Sequence, residues 1–171
     1  MNYFKTLKLK AKFDIDLGEL EKNYYQKIHT EHPDKCTNGN RKEAEESIIV
    51  AAHINSAYLT LKNPISRAEH ILQIEKGSFT SQKHILETKF LFTQMHYQET
   101  IQELKVNFDL NRFDDISREV KDLYQKNMES MQQELKNQNW QEAEQYLLKI
   151  KMLNGLNEKL SAAEDEFYEI S

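Results

Sequence analysis

The fold is decided by residues 16–35, which read DLGELEKNYYQKIHTEHPDK. Asp16 with Glu19 three residues later forms a capping box, which marks the beginning of a helix. Apolar side chains at spacings of three and four then define one buried stripe, formed by Leu17, Leu20, Tyr24 and Ile28. We therefore predict a helix from Leu17 to Glu31.

The chain must leave this helix at Pro33, because proline lacks an amide donor and pushes His32 out of the α region. His32 and Asp34 are thereby held outward at a bend, and a polar, glycine-containing loop follows. A second helix is predicted from Arg41 to Lys62, with Asn63-Pro64 as its stop. It has a stripe able to meet the first, formed by Ala44, Ile48, Ala51, Tyr58 and Leu61.

Composition favours an all-α protein. Among 171 residues, 39% are hydrophobic and 30% charged, while four glycines and two prolines leave little material for the turns of an all-β fold. No apolar run approaches the roughly 18 residues of a membrane-spanning helix. The start of the chain also lacks the pattern of a secretory signal. We therefore expect a soluble protein.

A short helix and a joint follow the first two helices. Residues 65–74 predict a helix that packs Ala68, Ile71 and Leu72, and Gly77 then breaks the periodicity. A boundary between two rigidly connected units is expected near this glycine.

The C-terminal half predicts three antiparallel helices with short connections. The first spans about Ser81 to Lys105 and the second about Phe113 to Lys136. Asn139 caps the third, with Glu142 at the capping-box position, and Gly155 within it is a candidate bend. Their stripes consist of Leu86, Phe90, Tyr97, Ile101 and Leu104; of Phe113, Ile116, Val120, Leu123, Tyr124, Met131 and Leu135; and of Trp140, Ala143, Leu147, Ile150, Leu160 and Phe167.

Cysteine and histidine usage predicts no resident metal and no cofactor. Cys36 is the only cysteine, which excludes an intramolecular disulfide and indicates a reducing compartment. We interpret it as an incidental loop residue rather than a catalytic thiol. The six histidines form no pair at the i,i+4 spacing of metal ligands.

Charge is uneven between the two halves. Residues 1–72 hold 11 lysines and arginines against 10 acidic residues, and residues 73–171 hold 12 against 18. This acidic balance argues against nucleic acid, which requires a concentrated basic surface. A protein partner is therefore expected.

The flanks of the His-Pro-Asp tripeptide give the chain a family resemblance. The residues that carry this resemblance are Met1-Asn2-Tyr3-Phe4, Tyr25 and Lys27, Ile54-Asn55-x-Ala57-Tyr58-x-x-Leu61, and Asn63-Pro64-Ile65-Ser66-Arg67-Ala68-Glu69-His70-Ile71-Leu72. With them the chain resembles the HscB family of J-type co-chaperones of iron-sulfur cluster assembly. The resemblance implies an L-shaped protein with a J-domain over residues 1–75 and a C-terminal helical bundle that binds a scaffold protein over residues 76–171. It also implies that lysine-rich residues 5–13 are mature sequence rather than a transit peptide. The expected location is the bacterial cytoplasm, or the mitochondrial matrix in a eukaryote.

The same resemblance implies two binding surfaces. One stimulates an HscA/DnaK-type chaperone ATPase through His32, Pro33, Asp34, Lys35, Lys22, Tyr25 and Lys27. The other binds an IscU-like scaffold through Leu91, Phe92, Met95, His96, Glu99, Glu103 and Met152. At His96 the family usually has an acidic residue. The protein would then be a co-chaperone with no catalysis of its own.

Other interpretations of these residues remain open. The tripeptide can be a solvated, helix-ending turn, and the apolar set on the first C-terminal helix can be additional core. A small hydrolase using His32, Asp34 and Cys36 is the rival from another class, although no oxyanion donors or pocket residues are evident. A generalist J-protein is disfavoured because Gly/Phe-rich and cysteine-repeat segments are missing from the sequence.

Overall fold

The computed structural model describes residues 2–31, 41–77 and 86–170. Within these ranges the chain forms helices and no strand, which confirms the predicted all-α class. The helices are α1 (Tyr3–Thr6), α2 (Leu17–Glu31), α3 (Arg41–Lys62), α4 (Pro64–Lys76), α5 (Thr88–Val106), α6 (Leu110–Lys136) and α7 (Trp140–Ile170).

The chain divides into two compact units, Met1–Phe79 and Thr80–Ser171. The first contains α1 to α4 and the second α5 to α7.

In the first unit, α2 and α3 pack side by side with both helices bounded as predicted. Oδ1 of Asp16 accepts hydrogen bonds from the backbone amides of Gly18 at 2.8 Å and Glu19 at 3.2 Å, which caps α2. Further along, the Tyr24 hydroxyl donates to Asn55 at 2.7 Å. The Tyr24 and Tyr58 rings also stack at 4.3 Å.

The predicted stripes of α2 and α3 are wrong at one end of each helix. Leu20 and Leu61 are buried, but Leu17 is exposed and Ile48 is 60% exposed. The buried positions that accompany Leu61 on α3 are Ile54 and Ala57. The two stripes therefore meet over only part of the helix lengths, because a periodic pattern identifies an apolar face without showing how far its neighbour extends.

Two histidines hold α1, a helix that the sequence pattern did not predict. The Tyr3 backbone amide donates to Nε2 of His70 at 2.9 Å, and the two rings stack at 4.5 Å. Nε2 of His53 lies 3.0 Å from Oγ1 of Thr6. These contacts connect α1 to α3 and α4.

Arg67 on α4 connects the end of α3 to the segment before α2. Its Nε donates to the Leu61 carbonyl at 2.6 Å, Nη1 to that of Phe13 at 3.0 Å and Nη2 to that of Lys62 at 3.2 Å. Two of these carbonyls belong to the last turn of α3, where intrahelical donors are missing. Burial lowers the pKa of this guanidinium from its ordinary value, with Asp14 opposing the shift.

In the second unit, α7 packs against both α5 and α6. The helices bury an apolar cluster that includes most of the predicted α5 stripe and the first part of the predicted α6 stripe. Met131 and Leu135, at the other end of the α6 stripe, are buried outside this cluster. Helix α7 continues through Gly155 without interruption. The predicted beginning of α5 is wrong, because Leu86 and Glu87 precede the helix, which begins at Thr88. The cluster consists of Phe90, Tyr97, Ile101, Leu104, Phe113, Ile116, Val120, Leu153, Leu156 and Leu160.

Candidate protein-binding surfaces

The predicted tripeptide connects α2 and α3. His32, Pro33, Asp34 and Lys35 lie outside the described residues, as does Cys36. The structure does describe both neighbouring helix ends, since α2 ends at Glu31 and α3 begins at Arg41.

The outward side of α2 presents the other predicted chaperone-binding residues. Lys22 is exposed, the Tyr25 side chain is 61% exposed, and Lys27 is half-buried. The Lys27 ammonium lies 3.7 Å from the Glu31 carboxylate, one helical turn later. A surface cavity of about 690 Å³ places Tyr25 and Lys27 together. It is also lined by Thr6, Leu7, Lys8, Asn23, Gln26, His29, Thr30 and Glu31.

On α5, the second apolar set predicted from the sequence lies at the surface. Phe92 is 65% exposed and Met95 53% exposed, and Leu91 is also exposed, whereas Phe90 and Tyr97 on the same helix are buried. The alternative that this set is additional core is therefore wrong. Three large apolar side chains on one helix are therefore exposed to solvent and are not covered by the other helices of their unit.

The remaining predicted scaffold-binding residues differ in their surroundings. His96, Glu99 and Glu103 are exposed on α5, and the Glu103 carboxylate pairs with Arg112 of α6 at 2.6 Å. Met152 on α7 is half-buried and packs against the apolar cluster. Six of the seven positions are thus exposed, and Met152 contributes to the core as well.

A second cavity, of about 640 Å³, lies beside α5 and α6 and was not predicted. Across it, the Tyr97 hydroxyl donates to the Glu119 carboxylate at 3.3 Å. Burial raises the pKa of Tyr97, and the nearby Glu119 adds to the shift. At one end the Lys149 ammonium pairs with Glu87 at 3.0 Å. Sequence spacing gives no signal for such contacts, because they join residues that are distant in the sequence.

Neither a metal-ligand cluster nor a membrane-spanning helix occurs among the residues that the structure describes. Across residues 2–31, 41–77 and 86–170, no three histidine, cysteine or acidic side chains cluster closely enough to hold a metal ion. No helix in the part of the chain that the structure describes combines the length and apolar character needed to cross a membrane.

Known proteins are similar to this chain in fold and in sequence. The solved structure of the chaperone HscB from Vibrio cholerae superposes with a TM-score of 0.84 at 24% identity, covering 97% of this chain and 99% of that one. The co-chaperone protein HscB of Proteus mirabilis is 30% identical over 171 residues, covering 99% of each chain. An HscB homolog from Shewanella halifaxensis is 32% identical over 181 residues, covering 99% of this chain and 100% of its own.

A family model described as the HSCB C-terminal oligomerisation domain matches residues 86–161, which contain the exposed apolar set on α5. Together with the full-length relatives, this match defines the class of the protein as a helical co-chaperone. The chain belongs to the HscB family.

Proposed function

We propose that this co-chaperone stimulates the ATPase of an HscA/DnaK-type chaperone through a J-domain over residues 1–75. Its C-terminal bundle, residues 76–171, delivers an IscU-like scaffold to that chaperone during iron-sulfur cluster assembly. The observation that carries the proposal is the exposure of Phe92 and Met95 on a helix whose other apolar face is buried. Exposed apolar groups of this size mark surfaces that a partner covers. The place of action, cytoplasm or mitochondrial matrix, stays a prediction.

On the chaperone side, His32 and Asp34 provide hydrogen-bonding groups at the predicted bend, and Pro33 reduces the entropy lost when they are held. Lys22, Tyr25 and Lys27 extend the contact along α2, and Lys35 extends it beyond the tripeptide. Binding favours the hydrolysis-competent state of the chaperone. The chemical step takes place in the chaperone, so this chain acts as a regulator and not as an enzyme.

On the scaffold side, Leu91, Phe92 and Met95 are the apolar anchors. Glu99 and Glu103 supply an acidic rim one and two turns further along α5. This combination of a central apolar cluster with a charged rim is typical of specific protein interfaces. Met152 contributes through the part of its side chain that reaches the surface, and His96 contributes an imidazole.

The first test concerns the chaperone. We expect His32→Gln to abolish stimulation of the chaperone ATPase, because the amide cannot reproduce the imidazole's hydrogen-bonding geometry at the bend. Steady-state ATPase assays with purified proteins measure this effect, and circular dichroism checks that the helices persist. Full stimulation by this variant would remove His32 from the proposed site.

The second test concerns the scaffold. We expect Phe92→Ala with Met95→Ala to weaken scaffold binding about 10- to 100-fold, as for interface anchors worth about 1 to 3 kcal/mol. Calorimetric titration measures the affinity. Val106→Ala with Leu110→Ala is the matched control, since Val106 is 90% exposed at the other end of α5 and Leu110 is exposed at the beginning of α6. If both double variants bind the scaffold with the same affinity, the surface formed by Phe92 and Met95 is not the scaffold-binding surface.

A second copy of the chain is the competing occupant of this surface, because the family model that matches residues 86–161 is described by oligomerisation. Sedimentation equilibrium separates the two cases. If Phe92→Ala with Met95→Ala changes self-association and leaves scaffold affinity unchanged, the surface serves a second copy instead of the scaffold.

A further inference from the structure

Lys8 has a strained backbone. Its φ is +54°, and among the described non-glycine residues only Gln138, with φ of +61°, shares a positive value. The left-handed region brings Cβ close to the backbone and disfavours residues other than glycine. Strain of this kind persists where surrounding contacts fix it, and it is concentrated at functional sites.

The contacts around Lys8 fix this conformation. Leu7, the residue before it, is fully buried, and its carbonyl accepts a hydrogen bond from Nδ2 of Asn23 on α2 at 2.9 Å. The backbone amide of Lys8 donates to the Lys5 carbonyl at 3.3 Å, and that of Leu9 donates to the Phe4 carbonyl at 2.8 Å. The turn after α1 is therefore tied both to α1 itself and to α2.

The Lys8 side chain is exposed and lines the 690 Å³ cavity beside the last two turns of α2. Among the residues that the structure describes, its ammonium forms no ion pair and donates no hydrogen bond. The other lysine on this cavity, Lys27, lies near Glu31, which is the one acidic residue among the described residues of the lining. The cavity therefore has an uncompensated positive charge at Lys8, and its lining also includes the exposed side chain of Tyr25.

We infer that Lys8 is a docking residue for a carboxylate in an acidic segment of the chaperone, and this inference rests on the proposed function. The cavity is continuous with the proposed interface, because α2 forms one wall and ends at Glu31, directly before the tripeptide. A cavity lined by both a free ammonium and an exposed aromatic side chain fits an acidic segment that also contributes apolar contact. Glycine at this position would relieve the strain but would remove the charge.

The test uses the full chain with substitutions at both strained positions. We expect Lys8→Gly to raise the midpoint of thermal unfolding by a few degrees, on the order of 3 °C. It should also raise the co-chaperone concentration for half-maximal ATPase stimulation about two- to five-fold at low salt. Gln138→Gly is the matched control, because it relieves the same strain in the second unit and is expected to leave half-saturation unchanged.

Two further variants separate charge from backbone. Lys8→Arg keeps both the charge and the strain, so it should match the wild type in both measurements. Lys8→Asn is neutral and tolerates the left-handed region, so it should weaken stimulation as Lys8→Gly does. The weakening should shrink at about 0.5 M salt, where exposed charges are screened.

The possible failures are distinguishable. If the wild type stimulates and Lys8→Gly and Lys8→Asn stimulate equally well at the same concentrations, Lys8 is not a docking residue and the proposed function stands. If the wild type fails to stimulate the chaperone, the proposed function fails and this inference fails with it.

Discussion

At the scale of single residues, His70 shows how a buried side chain can fix a helix that the sequence pattern does not predict. Its Nε2 accepts the backbone amide of Tyr3, so this nitrogen must be unprotonated in the folded chain. Burial lowers the pKa of His70, with a hydrogen bond to Gln73 opposing the shift. Geometry and electrostatics therefore both favour the neutral imidazole.

This arrangement predicts a pH dependence. Because the folded chain holds His70 neutral and the unfolded chain protonates it near its ordinary pKa of about 6.5, the unfolded state binds more protons below that pH. The stabilisation is thus fully present above about pH 6.5 and is lost as pH falls towards the lowered pKa. In urea unfolding at about pH 7.5 and about pH 5.5, we expect the loss of stability on acidification to be smaller for His70→Gln than for the wild type.

His29→Gln is the control for this experiment, since His29 is exposed on α2 of the same unit. It should retain the wild-type loss of stability on acidification. An equal loss in His70→Gln would show that the imidazole does not couple proton binding to the docking of α1.

At the scale of helices, Gly155 lies in the middle of α7, where an added Cβ would meet open space outside the backbone of its own helix. Alanine is favoured over glycine in a helix interior by about 1 kcal/mol. We expect Gly155→Ala to raise the unfolding midpoint of the second unit by roughly 4–8 °C, measured by circular dichroism.

Gly18→Ala tests whether available space decides this gain. A Cβ at Gly18 would lie 3.2 Å from Oδ1 of Asp16, the atom that caps α2. The added methyl group therefore disturbs the cap, and we expect little or no increase in stability. A comparable gain at both positions would indicate that helix propensity alone sets the effect.

Helices α2 and α3 could be predicted from the sequence, whereas α1 could not. The ends of α2 and α3 agree with the approximate bounds predicted for them. A capping aspartate before α2 and a proline after each helix act locally, so three of these four ends have a signal in the sequence. The four-residue helix α1 is too short for a periodic pattern, and its position depends on His53 and His70 from distant parts of the chain. Contacts of that kind are set by tertiary packing and leave no trace in local spacing.

The residues of the candidate surfaces also fall into those that local spacing predicts and those that it does not. Spacing on α5 predicted that Leu91, Phe92 and Met95 lie off the core stripe, and they are exposed. Lys8 was missed as a candidate, because a lysine-rich segment carries no indication of a backbone held at positive φ. Similarly, the pairing of Glu103 with Arg112 required α5 and α6 to be in place.

At the scale of the whole molecule, the two proposed surfaces belong to different units of one chain. The chaperone-binding residues lie in Met1–Phe79, and the scaffold-binding residues lie in Thr80–Ser171. Covalent connection raises the effective concentration of a bound scaffold at the chaperone without any new contact. Delivery should therefore require both surfaces on the same molecule, whereas basal ATPase stimulation should require only the first.

A mixing experiment tests this requirement. His32→Gln retains the scaffold surface, and Phe92→Ala with Met95→Ala retains the chaperone surface, so their mixture contains both surfaces on separate molecules. We expect the mixture to restore basal stimulation of the ATPase but not the additional stimulation that the scaffold gives with the wild type. The assay is run at concentrations where sedimentation shows monomers, because mixed oligomers would reconnect the two surfaces. Wild-type scaffold-dependent stimulation by the mixture of monomers would show that delivery does not depend on the connection within one chain.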